Sequence, residues 1–449
     1  MAVIGLGASG LAAARLAAEK GAEVYVSDAR TDDAAAARGV ELGSPRIDVE
    51  LGRHDLERMA DAGIVVASPG IPPDAPVLRA LASRGVRWIS EPEFASRFLP
   101  GSLIAVTGTN GKTTTTLLVD HLLRASGIRS AAGGNVGGGL APAASELARS
   151  GVPYDWVVLE MSSFQLSAID TFRPAIGVVT NLSPDHLDRY ASVEEYYADK
   201  ARIFENADDR SVWVLPQGDD AVAALAGDAS GRRYHFGGIG SDAFVHDGML
   251  MVRPFGDIDE LIPVADLPLL GAHNVLNALA AALVARLAGA QPGGIAAGLG
   301  KARALPHRME PVRDADGVLW VNDSKATNVA ATRSALASLD RPVVLLLGGK
   351  DKGEDFSQLA PAAAGVHHVL AYGAAGVRVA AELRAALGEG ASTVVEVVEG
   401  PLDGVVARAR QLARRGDVVL LSPACSSYDM YESYEHRGRH FATLAREAA

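Results

Sequence analysis

The chain has 449 residues, 48 % of them hydrophobic, which is enough for about three packed domains of roughly 100–200 residues each and excludes a disordered polypeptide. Its net charge of −12 excludes nucleic acid as the expected partner, because phosphate backbones are held by clustered Lys and Arg. One cysteine, Cys425, excludes an intramolecular disulfide, and no uninterrupted apolar run reaches the length of about 18 residues that reads as a membrane span. The start lacks the basic residues of a signal peptide, so a cytoplasmic protein with no membrane partner is expected.

In chain order, Ala2–Ile4, Glu23–Ser27 and Ile64–Ala67 predict strands, with a helix over Gly10–Lys20. The first strand runs into Gly5-Leu6-Gly7-Ala8-Ser9-Gly10, and Asp28 follows the second. This fits the fingerprint in which a glycine turn admits a diphosphate to a helix N-terminus, with an acidic residue about 20 positions on. Alone it suggests an NAD-dependent oxidoreductase. The motif reports only a diphosphate at a βαβ turn, however, and a UDP-linked ligand presents the same group. A tight turn with no ligand is the plainer alternative. The loop Ala67-Ser68-Pro69-Gly70-Ile71 follows the third strand and faces the same edge, so Ser68 and Gly70 join Gly7 and Asp28 as candidate contacts. A break falls near Leu99-Pro100-Gly101.

Leu103–Thr107 predicts a buried strand entering Gly108-Thr109-Asn110-Gly111-Lys112-Thr113-Thr114, and a helix over Thr114–Ala125 follows. Backbone N–H groups of such a turn cradle phosphates, Lys112 reaches the terminal ones, and the Thr113 hydroxyl suits Mg²⁺. The usual pattern has a glycine where Val106 stands, so this is a shortened phosphate loop; a structural βα turn is the alternative. Trp156–Glu160 predicts a buried strand ending on a hard carboxylate oxygen donor, Glu160, suited to Mg²⁺. The next strand, Ile176–Thr180, opens into Asn181–Asp188, where the sequence leaves His186 undecided against Asp185 as a metal residue.

The polar, Gly- and Asp-rich stretch Gly218–Pro268 reads as a small β-rich insertion, followed by a helix over Asn274–Ala288 and a break near Ala304-Leu305-Pro306. Strands over Val343–Leu347, Val366–Ala371 and Val418–Leu421 and a helix over Leu402–Arg414 complete the pattern. Such alternation predicts an α/β protein with mainly parallel sheets covered on both faces. Its expected domains are 1–99, 100–304 and 305–449.

Whole segments carry a resemblance. Thr107–Thr114 with Glu160, His186 and Lys200 resembles the central domain of the Mur ligases, ATP-dependent enzymes that add amino acids to the peptidoglycan precursor. Leu159–Leu166, Asn322–Asn328 and Leu421–Asp429 are similar to the member that adds D-glutamate to UDP-N-acetylmuramoyl-L-alanine. Folylpolyglutamate synthases share the central loop but differ at the carboxy-terminal segments. The resemblance implies Rossmann-like outer domains around a P-loop ATPase-like central domain.

It also implies roles. ATP lies on Gly108, Thr109, Asn110, Gly111, Lys112, Thr113 and Thr114, with Asn274 at adenine, Arg308 at the γ-phosphate and Asp323 at the ribose. Two Mg²⁺ ions are held by Thr113, Glu160, His186 and Lys200, the last as a CO₂-derived carbamate. From the residues alone Lys200 reads as a helix-surface lysine. Asn135 contacts the acceptor, while Gly7, Asp28, Arg30, Ser68 and Gly70 line the UDP site. Lys325 and Thr327 lie near the reacting carboxylate, and Lys352, Ser427 and Tyr434 hold D-glutamate. Catalysis falls to Lys112, Glu160, His186, Lys200 and Lys325 in a monomer whose third domain closes during turnover. Two departures stand out: Ala29 where a Thr is expected, and Tyr434 where Phe is common.

Overall fold

Three sheets carry the chain in this computed structural model, which describes residues 1–447 except 73, 138 and 186–188, with the backbone alone at 364. The first sheet contains β1 (Ala2–Ile4), β2 (Val24–Asp28), β3 (Ile47–Leu51), β4 (Val65–Ala67) and β5 (Ile89–Ser90). All are parallel, in the order β3-β2-β1-β4-β5. The chain builds outward from β1 on one side, then returns to β4 on the other. The C-terminal ends of β1 and β4 therefore frame the crevice where sheets of this kind take ligands. The helix Ala8–Glu19 lies close on this sheet because small residues such as Ala13, Ala14 and Ala17 share a core with Val3, Val24 and Val26. Gly10 is required there, since a Cβ would stand 1.9 Å from the Gly5 carbonyl oxygen.

The central sheet contains β6 (Ser102–Thr107), β7 (Ser130–Gly134), β8 (Trp156–Glu160), β9 (Ile176–Val179), β10 (Val212–Pro216), β11 (Arg232–Phe236), β12 (Ala243–His246), β13 (Met249–Val252) and β14 (Asp259–Pro263). Their order is β7-β8-β6-β9-β10-β11-β12-β13-β14, parallel as far as β12 and antiparallel beyond it. The stretch expected as an insertion starts with a helix, Asp220–Ala226, and then lengthens this same sheet by β11 to β14. Val157, Val158 and Leu159 are fully buried, the continuous apolar run of a strand covered on both faces.

These two sheets belong to one unit, Met1–Asp266 with Leu276–Gly300; the third sheet belongs to another, Leu267–Val275 with Lys301–Ala449. Within the first unit, Glu93 accepts the backbone N–H groups of Asp170, Thr171 and Phe172 at 3.0, 3.0 and 2.7 Å, tying the end of the first sheet to the loop before β9. Glu91 is as deeply buried but less well served: it accepts the Ser145 N–H at 2.5 Å, and its Oε2 has no partner among the described residues. Burial pushes its carboxyl up to about 7.

The second unit holds β15 (Glu310–Ala315), β16 (Val318–Asn322), β17 (Val343–Gly348), β18 (Val366–Tyr372), β19 (Val394–Val397) and β20 (Val418–Leu421). They lie in the order β15-β16-β20-β17-β18-β19, and only the β15–β16 pair is antiparallel. The C-terminal ends of β16, β20 and β17 are thus neighbours, which gathers the loops that follow them.

Candidate functional site

At the edge of the first sheet a cavity of about 690 Å³ opens between the β1 and β4 ends. Gly5, Gly7, Asp28, Arg30, Ser68 and Gly70 line it, and so do Arg38 and His54, which the sequence did not single out. Asp28 is saturated by its own chain. It accepts the Leu6 N–H at 2.8 Å, the Arg30 N–H at 2.9 Å, and the Arg30 guanidinium through Nε at 3.1 Å and Nη2 at 2.8 Å. Burial works against the charge of Asp28, but these bonds hold its carboxyl at about 2. A dinucleotide ribose needs that carboxylate free, so the geometry speaks against the oxidoreductase alternative. Ser68 Oγ donates to the Gly5 carbonyl at 3.2 Å and fixes the β4 loop against the glycine turn.

The second glycine loop joins β6 to the helix Lys112–Ala125, between the C-terminal ends of β8 and β9. Gly108 has φ +136°, and a Cβ there would stand 2.0 Å from Thr180 Oγ1. Residues following β9 clamp the loop. Thr109 N–H donates to the Asn181 carbonyl at 2.9 Å, Asn110 N–H donates to Asn181 Oδ1 at 3.0 Å, and Thr180 Oγ1 donates to the Asn110 carbonyl at 2.6 Å. Asn277, another residue the sequence did not mark, accepts from Thr115 Oγ1 at 3.3 Å behind the loop. Lys112 folds over the loop, with Nζ 3.0 Å from the Gly108 carbonyl oxygen and 2.8 Å from that of Thr109. Thr113 is buried at the helix start.

On β8, Glu160 is paired in register with Val106, so its side chain emerges beside this loop. Asn135 Nδ2 donates to Glu160 Oε1 at 3.0 Å, while the buried Oε2 has no partner among the described residues. An orphaned carboxylate oxygen of this kind suits a hard cation. Lys200, on the helix Val193–Ala201, is only 1 % exposed, so the surface reading of its residue pattern is corrected. Its Nζ donates to the Gly108 carbonyl at 2.7 Å and lies 4.6 Å from the centre of the Tyr196 ring. Burial first, then the nearby charge of Lys112, pushes its ammonium down to about 6. His186 lies outside the described residues. Among the described residues no three His, Cys, Asp or Glu converge as a ready metal cluster.

The carboxy-terminal unit gathers its own set. Asp323, after β16, accepts the Ser422 hydroxyl at 2.8 Å and the Met309 N–H at 3.2 Å, and burial pushes its carboxyl up to about 7. Lys325 Nζ lies 3.1 Å from Tyr434 Oη, and Lys352 Nζ lies 3.3 Å from Thr327 Oγ1. Lys350, two residues earlier, pairs through its backbone with Ser426. Ser427 Oγ is buried without a partner among the described residues. Arg308 is half-buried beside His307, whose ring approaches Asn322 Nδ2 at 2.9 Å. Asn274, at the start of the helix Ala272–Leu287, donates through Nδ2 to the Leu270 carbonyl at 2.8 Å.

Known proteins share this organisation. Models of three domains match in order: a Mur ligase MurD-like N-terminal domain over 1–90, a Mur ligase middle domain over 106–285 and a Mur ligase glutamate ligase domain over 307–425. The UDP-N-acetylmuramoylalanine–D-glutamate ligase of Acidobacterium capsulatum is 42 % identical over 448 residues, covering 98 % of this chain and 95 % of its own. Two solved structures share the fold at low identity. A pseudomurein peptide ligase type C from Methanothermus fervidus has a TM-score of 0.61 at 18 % identity, with both chains covered to 100 %. The UDP-N-acetylmuramate–alanine ligase of Thermotoga maritima has 0.60 at 20 %, covering 100 % of this chain and 99 % of its own.

Proposed function

The chain belongs to the Mur ligase family, and we propose that it joins D-glutamate to UDP-N-acetylmuramoyl-L-alanine with cleavage of ATP to ADP and phosphate, a step in building the peptidoglycan precursor. The observation that carries this reading is the full-length likeness to D-glutamate ligases. The loop geometry supplies the chemistry. ATP phosphates would take the place of the loop carbonyls as partners of Lys112, and Thr113 and Glu160 would hold Mg²⁺. When bound, Mg²⁺ offsets the charge of the transferring phosphoryl group. Lys112 and Arg308 add positive charge as the substrate carboxylate attacks the γ-phosphate and an acyl phosphate forms. The D-glutamate amine then attacks the activated carbonyl, loses a proton to Asp185 or His186, and the tetrahedral adduct collapses to amide and phosphate.

Lys200 serves this reading as a carbamate. Its neutral amine nitrogen bonds to the carbon of CO₂ and one N–H proton goes to solvent, leaving carboxylate-type oxygens on the nitrogen. Its burial against the Gly108 carbonyl, within reach of the charge of Glu160, supports the assignment, and His186 would belong with the second Mg²⁺. Asn274 and Asp323 take adenine and ribose, Asn135 the acceptor, and Lys325, Thr327, Lys352, Ser427 and Tyr434 the reacting carboxylate and D-glutamate. The division at 99 and 304, a cytoplasmic monomer, and a role in cell shape and division belong to the same reading.

Phosphate release from ATP with UDP-N-acetylmuramoyl-L-alanine, measured separately with D-glutamate, L-glutamate, L-lysine and meso-diaminopimelate, tests it. Release with D-glutamate alone, and a product heavier by one glutamyl residue, is the expected result. Release with another amino acid overturns the specificity. No release from protein that binds ATP overturns the ligase reading.

A further inference from the structure

We propose that Arg38 is the cation that holds the diphosphate of the nucleotide substrate in the first-sheet cavity. The inference rests on the UDP-substrate reading above and adds to it a residue outside the glycine fingerprint. Arg38 stands near the end of the helix Asp33–Glu41 and lines the cavity, 3.0 Å from the Leu6 carbonyl through Nη1. Leu6 is the middle of the turn Gly5-Leu6-Gly7, so the guanidinium lies directly beside the loop that receives the phosphates.

Charge balance singles this arginine out. The other arginine of the cavity, Arg30, is consumed by Asp28 through both Nε and Nη2. His54 is engaged through Nδ1 with Ser27 Oγ at 2.8 Å. Arg38 has one hydrogen bond, to a neutral carbonyl, and no carboxylate partner among the described residues. The turn itself offers little charge. Leu6 N–H is spent on Asp28 and Gly5 N–H on the Ser27 carbonyl at 2.7 Å. What remains is the start of the helix Ala8–Glu19, which has neither a side-chain cap nor an acidic residue in its first turn. A helix end contributes only about half a charge, less than a diphosphate carries. A guanidinium with open N–H groups makes up the difference through paired, charge-assisted bonds.

Calorimetric titration of the full-length protein with UDP and with uridine tests this, comparing the parent with Arg38→Gln and Arg38→Lys. Glutamine keeps an N–H for the Leu6 carbonyl and removes the charge. The expected result is a loss of UDP affinity of about tenfold to a hundredfold in Arg38→Gln. Uridine affinity should stay within about twofold, and Arg38→Lys should recover part of the UDP loss. In turnover, KM for the UDP substrate should rise while KM for ATP does not. Equal losses for UDP and uridine would show that Arg38 only pins the turn and would overturn the proposal, as would no loss for either. Failure of the unaltered protein to bind UDP would instead overturn the substrate reading beneath it, and that outcome is visible before any variant is made.

Discussion

The two glycine loops occupy equivalent places, each between a parallel strand and a helix, yet their surroundings differ in kind. Around Gly5–Gly10 the one buried carboxylate, Asp28, is closed off by Arg30, and the loop faces an open cavity. Around Gly108–Thr113 one carboxylate oxygen, Glu160 Oε2, has no partner among the described residues, and Lys112 and Lys200 both donate to loop carbonyls. A saturated loop is equipped to hold an anion. A loop ringed by an orphaned carboxylate and two amines is equipped to gather metal and phosphate and to do chemistry on them. The glycine pattern is shared; the neighbours decide the task.

The strongest way to break this contrast is Lys200→Ala. Activity should fall by at least about a hundredfold, as for loss of a group that stabilises transition-state charge. Part of it should return with added formate or acetate, measured as phosphate release. A folded variant that no small carboxylate rescues argues against the carbamate. Gly108→Ala comes next. It forces a side chain into a φ of +136° and against Thr180, and should cost about 2–4 kcal/mol in a chemical melt together with ATP binding. Asp28→Asn is milder: it weakens the hold on the Leu6 N–H and the turn it anchors and should weaken UDP about tenfold while leaving ATP affinity alone, which titration calorimetry separates.

The smallest effect belongs to the joint between the two sheets. Glu91 titrates at about 7 in the folded chain and near 4.3 when unfolded, so the folded state binds the extra proton between those values. Its contribution to stability is present below the unfolded value and lost as pH rises through about 7. Glu91→Gln should flatten that slope, so its melting temperature relative to the parent should climb from pH 5 to pH 8. Glu93, with its three backbone donors, shows the opposite direction: burial opposes its charge, but those bonds and Thr171 and Arg97 hold its carboxyl below the usual range.

Much of the fold is legible in the sequence because buried parallel strands are short, continuous apolar runs. Each strand expected from such a run is present, with its ends displaced by no more than a single residue. Pattern reading also passes over Val212–Pro216 and Val318–Asn322, apolar runs of the same kind, but two other strands it misses are different in composition. Ile47–Leu51 alternates with acids at a sheet edge, and Ser130–Gly134 is mostly Ala and Gly. Both are held by a neighbour's ladder rather than by their own propensity.

The site divides along the same line. Gly108–Thr114, Glu160 and Asp28 announce themselves because the chemistry needs them in consecutive positions or at a strand's end, and local order is what a sequence records. Lys200 carries no such mark: Glu194, Glu195 and Asp199 around it make its helix look solvated, and only packing against the Gly108 carbonyl buries it. Arg38, His54 and Asn277 are equally silent, since each reaches its place from a different element. Strand periodicity and glycine turns are properties of adjacent residues and are written along the chain. The burial of an amine, the closing of a carboxylate and the exposure of a guanidinium depend on what distant segments bring beside them, and folding alone decides that.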